Sequence, residues 1–196
     1  MASFRCIAAT GKTIERVLNA CYAVDPPVPS PAKAALVQTD DFKRGTGSQI
    51  PRTGLSIFLY RVEVNGVMRA AWSGVGSYDG QAHLPLDLHY LMTAWAENAQ
   101  HEHEILGKTM QCLDSLPNLS GPMLYPSADW ATNEAIYLTS EDFGLEALMR
   151  TFDSLDANFR LSVFYRARIV RLDGAQIDTP PTVATVIAGL KPEVEG

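Results

Sequence analysis

The chain is 196 residues long, with 46% apolar and 19% charged residues. That length supports one domain with its own core, and a charged fraction below the usual ~25% points to a surface partly covered by other subunits. Sixteen basic against 22 acidic residues leave a net charge of −6, whereas a dedicated nucleic-acid binder carries a basic balance.

No stretch approaches the ~18 consecutive apolar residues of a membrane span. Cys6-Ile7-Ala8-Ala9 is too short for a signal-peptide core, and Lys12, Glu15 and Arg16 follow at once. The three cysteines, Cys6, Cys21 and Cys112, are scattered and form no CxxC pair. They read as reduced thiols of a cytosolic protein.

In chain order, Ile14, Val17, Leu18, Cys21 and Tyr22 fall on one helical face. Asp25-Pro26-Pro27 stops that helix, and the proline-rich run to Pro31 reads as a stiff connector. Ala34 to Gln38 reads as a short strand, and residues 40–53 as a mobile polar loop. Leu55 to Val64 is a strand apolar on both faces. Asn65-Gly66 is a hairpin signal, with Val67-Met68 starting the return strand. Pro85 to Ala96 alternates clearly. Leu84, Leu86, Leu88, Tyr90, Met92 and Ala94 share one face, and Asp87, His89, Leu91, Thr93 and Trp95 the other.

Asn98 caps a second helix that ends at Pro117, with Glu102 and Glu104 in its dipole-favoured first turns. Residues 118–133 read as loop and Ala135 to Leu138 as a strand. Thr139 or Ser140 then caps a third helix whose face is Leu145, Leu148, Met149, Phe152 and Leu155. Leu161 to Leu172 is a long last strand, with Arg166 and Arg168 on the face of Phe164 and Val170. The predicted fold is α+β, a mainly antiparallel sheet with about three helices packed on it. It occupies residues 1–173, and 174–196 form a C-terminal extension that could act as an interaction arm.

The search for chemistry yields no catalytic, cofactor or metal site. Gly11-Lys12-Thr13 lacks the earlier glycine of a P-loop, because Cys6 stands there. His101 and His103 lie two apart on a helix and point away from each other. Asp87 and His89 share a strand face and suit an ion pair or hydrogen bond. No GxSxG surrounds a serine. Arg160, Arg166, Arg168 and Arg171 gather near the last strand, where salt bridges to neighbouring acids outweigh a phosphate patch in so acidic a chain. The candidate structural or interface residues are Tyr60, Arg61, Asp87, His89, Tyr90, Trp95, Arg166 and Arg168.

Four segments, in order, carry a resemblance. They are Leu55-Ser56-Ile57-Phe58-Leu59-Tyr60-Arg61-Val62, the run from Leu84 through Asp87-Leu88-His89-Tyr90 to Trp95, Glu104-Ile105-Leu106-Gly107 with Met110-Gln111-Cys112-Leu113, and Ser162-Val163-Phe164-Tyr165-Arg166-Ala167-Arg168-Ile169-Val170. Over about residues 10 to 173 the chain resembles the cap, or tube and sheath terminator, family of extracellular phage-tail-like contractile injection systems. It departs from the family pattern at Ile105, in place of a leucine, and at Asp114, in place of a helix-end histidine.

The resemblance implies a phage-tail-terminator fold and a structural, non-enzymatic cap without cofactors. It implies a homo-hexameric ring that closes the inner tube and contacts the last sheath layer, with inner-tube and sheath proteins as partners and neither nucleic acid nor membrane. Assembly is then cytoplasmic, within a particle that is released. The arm would join neighbours by strand addition. Three readings compete: a baseplate or adaptor component of the same particle, a metal-dependent hydrolase using His89, Asp87 and His101, and a small-ligand binding module in the sheet cleft.

Overall fold

A computed structural model describes residues 3–43, 48–72 and 83–174. Helix α1, Cys6–Val24, turns Cys6, Ala9, Ile14, Leu18 and Tyr22 inward. Its end is set by Asp25, whose extended backbone suits the residue before a proline. Strand β1, Lys33–Val37, follows, and a 3-10 turn covers Thr39–Lys43. Next come β2 (Gly54–Val64), the short α2 (Gly66–Arg69), β3 (His83–Trp95) and α3 (Ala99–Ser115). The chain continues through β4 (Asn118–Ser120), β5 (Ala135–Glu141), α4 (Leu145–Ser154) and β6 (Ser162–Asp173).

The six strands form one sheet in the order β1-β2-β3-β6-β5-β4. Every pairing is antiparallel except β1 with β2, which is parallel. The sheet is therefore mixed, with the antiparallel majority that the alternation predicts. Strand β3 lies at its centre and is buried from Pro85 to Trp95. One face, carrying Ile57, Leu88, Tyr90, Met92 and Tyr165, packs under α1 and α3. The other carries Leu91, Trp95 and Phe164 and packs under α4 through Leu148, Phe152 and Leu155.

The structure corrects several local expectations. Asn65 makes no hairpin; its side chain accepts from the Met68 amide and caps α2. Thr139 and Ser140 cap no helix, because β5 runs through them in register with Arg166 and Tyr165. The cap position of α4 is Gly144. Residues 118–133 are not plain loop, since β4 pairs there with β5. Val170 lies opposite Phe164, on the α1 face. The register there spans three residues of β6, from Ala167 to Val170, against two of β3, from Leu88 to Leu86, and this bulge reverses the alternation.

The described part of the 40–53 stretch is pinned in place. The buried Asp41 carboxylate accepts from the amides of Gln38 and Gln49, at 2.8 and 2.7 Å. Phe42 packs edge-on to Phe58, with ring centroids 5.3 Å apart. The thiols are not all free either. Cys21 and Cys112 are joined as a disulfide between α1 and α3, with Cα atoms 6.5 Å apart. Cys6 stays free and buried, and burial pushes its thiol up to about 11. No helix among the described residues is long and apolar enough to cross a membrane.

Candidate functional site

Helix α4 and the aromatic cluster cover only the Trp95 end of their sheet face. Towards the other end, the same face is closed by charged side chains. Seven of the eight candidate residues lie on this face. Alternation along β3 and β6 points Asp87, His89, Trp95, Arg166 and Arg168 there, and the register irregularity between Leu59 and Arg61 in β2 brings the adjacent Tyr60 and Arg61 to the same side. Tyr90 does not. It is buried on the α1 face, where its hydroxyl lies close to Gly11 and burial pushes its phenol up.

His89, 4% exposed, is the centre of the network. Its Nδ1 donates to Glu141 Oε2 at 2.7 Å, and its Nε2 lies 3.4 Å from Glu63 Oε2. The Arg166 guanidinium stands 3.3 Å from the other oxygen of Glu141. Asp87, 5% exposed, accepts from Asn65 Nδ2 at 3.1 Å, and Arg168 lies 3.8 Å away. Arg61 pairs with Glu63 at the rim, at 3.0 Å. Tyr60 bridges to the aromatic cluster, stacking edge-on against Phe164 and Phe143. Burial, reinforced by the nearby Glu141 charge, pushes its phenol up to about 12. At the far end, Trp95 donates to Ser56 Oγ at 2.8 Å, and the Arg160 guanidinium lies 4.5 Å over its ring.

All four arginines of the last strand region meet acids: Arg160 with Glu102, Arg166 with Glu141, Arg168 with Asp87, and Arg171 with Glu134. Salt bridging is thus what this cluster does. The Asp87–His89 pairing suggested by their shared face gives way to separate partners, Asn65 for one and Glu141 for the other. His101 sits on α3, which packs on the opposite face of the sheet, so the triad of the hydrolase reading is not assembled. No group of three or more metal-ligating side chains converges among the described residues. Gly11, Lys12 and Thr13 lie inside α1, where Thr13 donates to the Ala9 carbonyl at 2.7 Å, so no phosphate loop forms.

Sequence reading missed Glu63, Asn65 and Glu141 as members of the network. Glu141 was hidden because β5 looked shorter than it is. Pairing across four strands leaves no local trace. The sheet edges matter for assembly too. The outward amides of Ala34 and Leu36 on β1 are taken by Asn19 Oδ1 at 3.0 Å and Glu15 Oε1 at 3.2 Å. Asn19 Nδ2 also donates to the Ala34 carbonyl at 2.9 Å. Helix α1 thereby blocks β1 against strand addition. At the opposite edge, β4 covers only the first three residues of β5. The extension from residue 175, expected as an arm, lies outside the described residues.

Comparison with known proteins agrees with the resemblance carried by the four segments. Among solved structures, the chain is similar to the PVC sheath/tube terminator of an extracellular contractile injection system in its extended state. The TM-score is 0.54 at 16% identity, over 93% of this chain and 64% of that one. It is also similar to the tube-terminating cap of the anti-feeding prophage, with a TM-score of 0.53 at 16% identity, over 95% of this chain and 59% of that one. The chain thus has the fold of tube terminators and spans about three fifths of their length. No match is found among curated protein sequences. Residues 9–185 match the family described as the Pvc16 N-terminal domain, and the chain belongs to that family.

Proposed function

We propose that this chain is a structural cap of a contractile injection system, ending the inner tube and meeting the last sheath layer at the distal end of the particle. The observation that carries this reading is family membership over residues 9–185, in a fold shared with two tube terminators. The cap is a ring of six copies, matched on one side to the sixfold end of the tube. Its other side offers no surface to the next tube layer, so growth stops. Its partners are copies of itself, the inner-tube protein and the sheath protein. It assembles in the cytoplasm on a particle that is later released, and it performs no catalysis.

The charged network supports this role. Its carboxylates are paired with cations or an amide, which ties β2, β3, β5 and β6 together across the face. The test is the length distribution of tubes and sheaths assembled with and without the chain. With it, lengths are uniform and one end is closed. Unchanged lengths and ends in its absence overturn the proposal.

A further inference from the structure

Two exposed apolar patches lie on opposite faces of the sheet. The first is a groove of about 520 Å³ between α1 and α3. Arg16, Ala20 and Val24 run along its α1 wall at four-residue spacing, all exposed, Val24 by 88%. Leu116 and Met123 line the groove with them. Arg16 heads the stripe. Its guanidinium donates to the Pro122 carbonyl, and no ion pair among the described residues includes it. The second patch is the outer side of α4. Leu145 and Met149 are 65% and 50% exposed there, and Asp153 follows at the same spacing, exposed and without an ion pair among the described residues.

The two stripes are equal in length, since eight residues of helix rise about 12 Å. They complement each other when laid antiparallel. Asp153 then meets Arg16, Met149 meets the small Ala20, and Leu145 meets Val24. Charge favours the same match. The segment around α4 carries Asp142, Glu146, Asp153 and Asp156 against Arg150 alone. The groove carries Arg16 and Lys108 against Asp25, which already holds Lys108.

We infer that α4 of one copy seats in the α1–α3 groove of the next. This is an apolar helix ridge in an apolar groove, with one ion pair fixing its direction. The two surfaces differ and face opposite ways, so the contact is head-to-tail. Each copy keeps one free groove and one free ridge until a ring closes. The inference rests on the cap reading for the closure of the ring, and its own content is the surface that joins the copies.

The test is solution mass by light scattering of the full chain, with melting curves to show that each variant folds. Wild type assembles. Ala20→Arg, which blocks the groove, and Met149→Arg, which charges the ridge, each lose assembly at least tenfold while melting as wild type does. Mixing the two variants gives dimers and nothing larger, because Met149→Arg keeps its groove and Ala20→Arg keeps its ridge. Arg16→Asp and Asp153→Arg each weaken assembly, and the doubly exchanged chain recovers it. Variants that assemble as wild type does, a mixture that stays monomeric, or a wild-type chain that is itself monomeric would each overturn the inference. Loss of tube capture with the ring intact would give the groove to the tube protein and overturn it as well. The tube-length assay reads the cap function separately, so failure of the two can be told apart.

Discussion

Replacing Glu141 by leucine should cost more than replacing Glu141 and His89 together. In the single variant, His89 remains 4% exposed on the sheet face and its Nδ1 loses the acceptor at 2.7 Å. A buried polar group stranded in this way costs about 1–3 kcal/mol, beyond what its hydrogen bond contributed net. Arg166 loses its partner as well, but its side chain is 30% exposed and can turn to water. The expected loss is therefore about 2 kcal/mol, which for a chain of this size lowers the melting midpoint by about 4–8 °C. In Glu141→Leu/His89→Leu the stranded nitrogen is gone and both replacements are apolar. Arg166 is left without its acid in both variants, so the double variant should lose about 1–3 kcal/mol less than the sum of the two single losses, and less than Glu141→Leu alone. Urea denaturation of the four chains closes the cycle. Additive losses in the double variant would refute the reasoning, because His89 would then contribute nothing through Glu141.

Other perturbations probe the rest of the fold. Gly54 has φ +144°, and a Cβ there would stand 2.0 Å from the Lys33 carbonyl oxygen, so Gly54→Ala should split β1 from β2 and lower stability by at least about 3 kcal/mol in urea denaturation. The Cys21–Cys112 bond closes a loop with a sequence separation of 91. Reductant should therefore cost wild type about 2–4 kcal/mol and leave the melting of Cys112→Ser unchanged. Burial alone would raise the Asp173 carboxyl, but hydrogen bonds and charge from Arg171 and His83 hold it below the usual carboxylate range. A depressed folded-state value stabilises above the unfolded one and is lost as pH falls through it. Stability should thus drop below about pH 4 in wild type, and less steeply in Asp173→Asn, when melting is followed against pH. Burial raises the phenols of Tyr22 and Tyr60 to about 12 each, so these sites hold their protons longer folded than unfolded. Stability should fall as pH rises above about 10, with part of the phenolate absorbance appearing only on unfolding.

The alternation of β3 revealed which side chains face which layer, because a central strand covered on both sides keeps its period without interruption. The Asn98 cap of α3 was equally legible, since a cap is local chemistry. Distant chain segments set what sequence reading missed. Asn65-Gly66 favours a hairpin in isolation, but the Asn65 amide bonds the Pro85 carbonyl and its side chain reaches Asp87, which turns the chain into α2. Thr139 and Ser140 are good caps in isolation, yet the β6 edge captures them as strand. Pairing partners explain the site in the same way. Spacing alone places Asp87 with His89 on one face of β3 and Arg166 with Arg168 on one face of β6, and the β3–β6 register brings the two pairs together. Glu63 and Glu141 join them through sheet order, which the sequence does not carry locally.

The most direct test of the cap reading is cryo-electron microscopy of particles assembled with the chain, aimed at the end opposite the baseplate. The account predicts six copies in a ring, seated on the last tube layer and touching the last layer of sheath. A distal end without the chain, or the chain found at the baseplate instead, would contradict it.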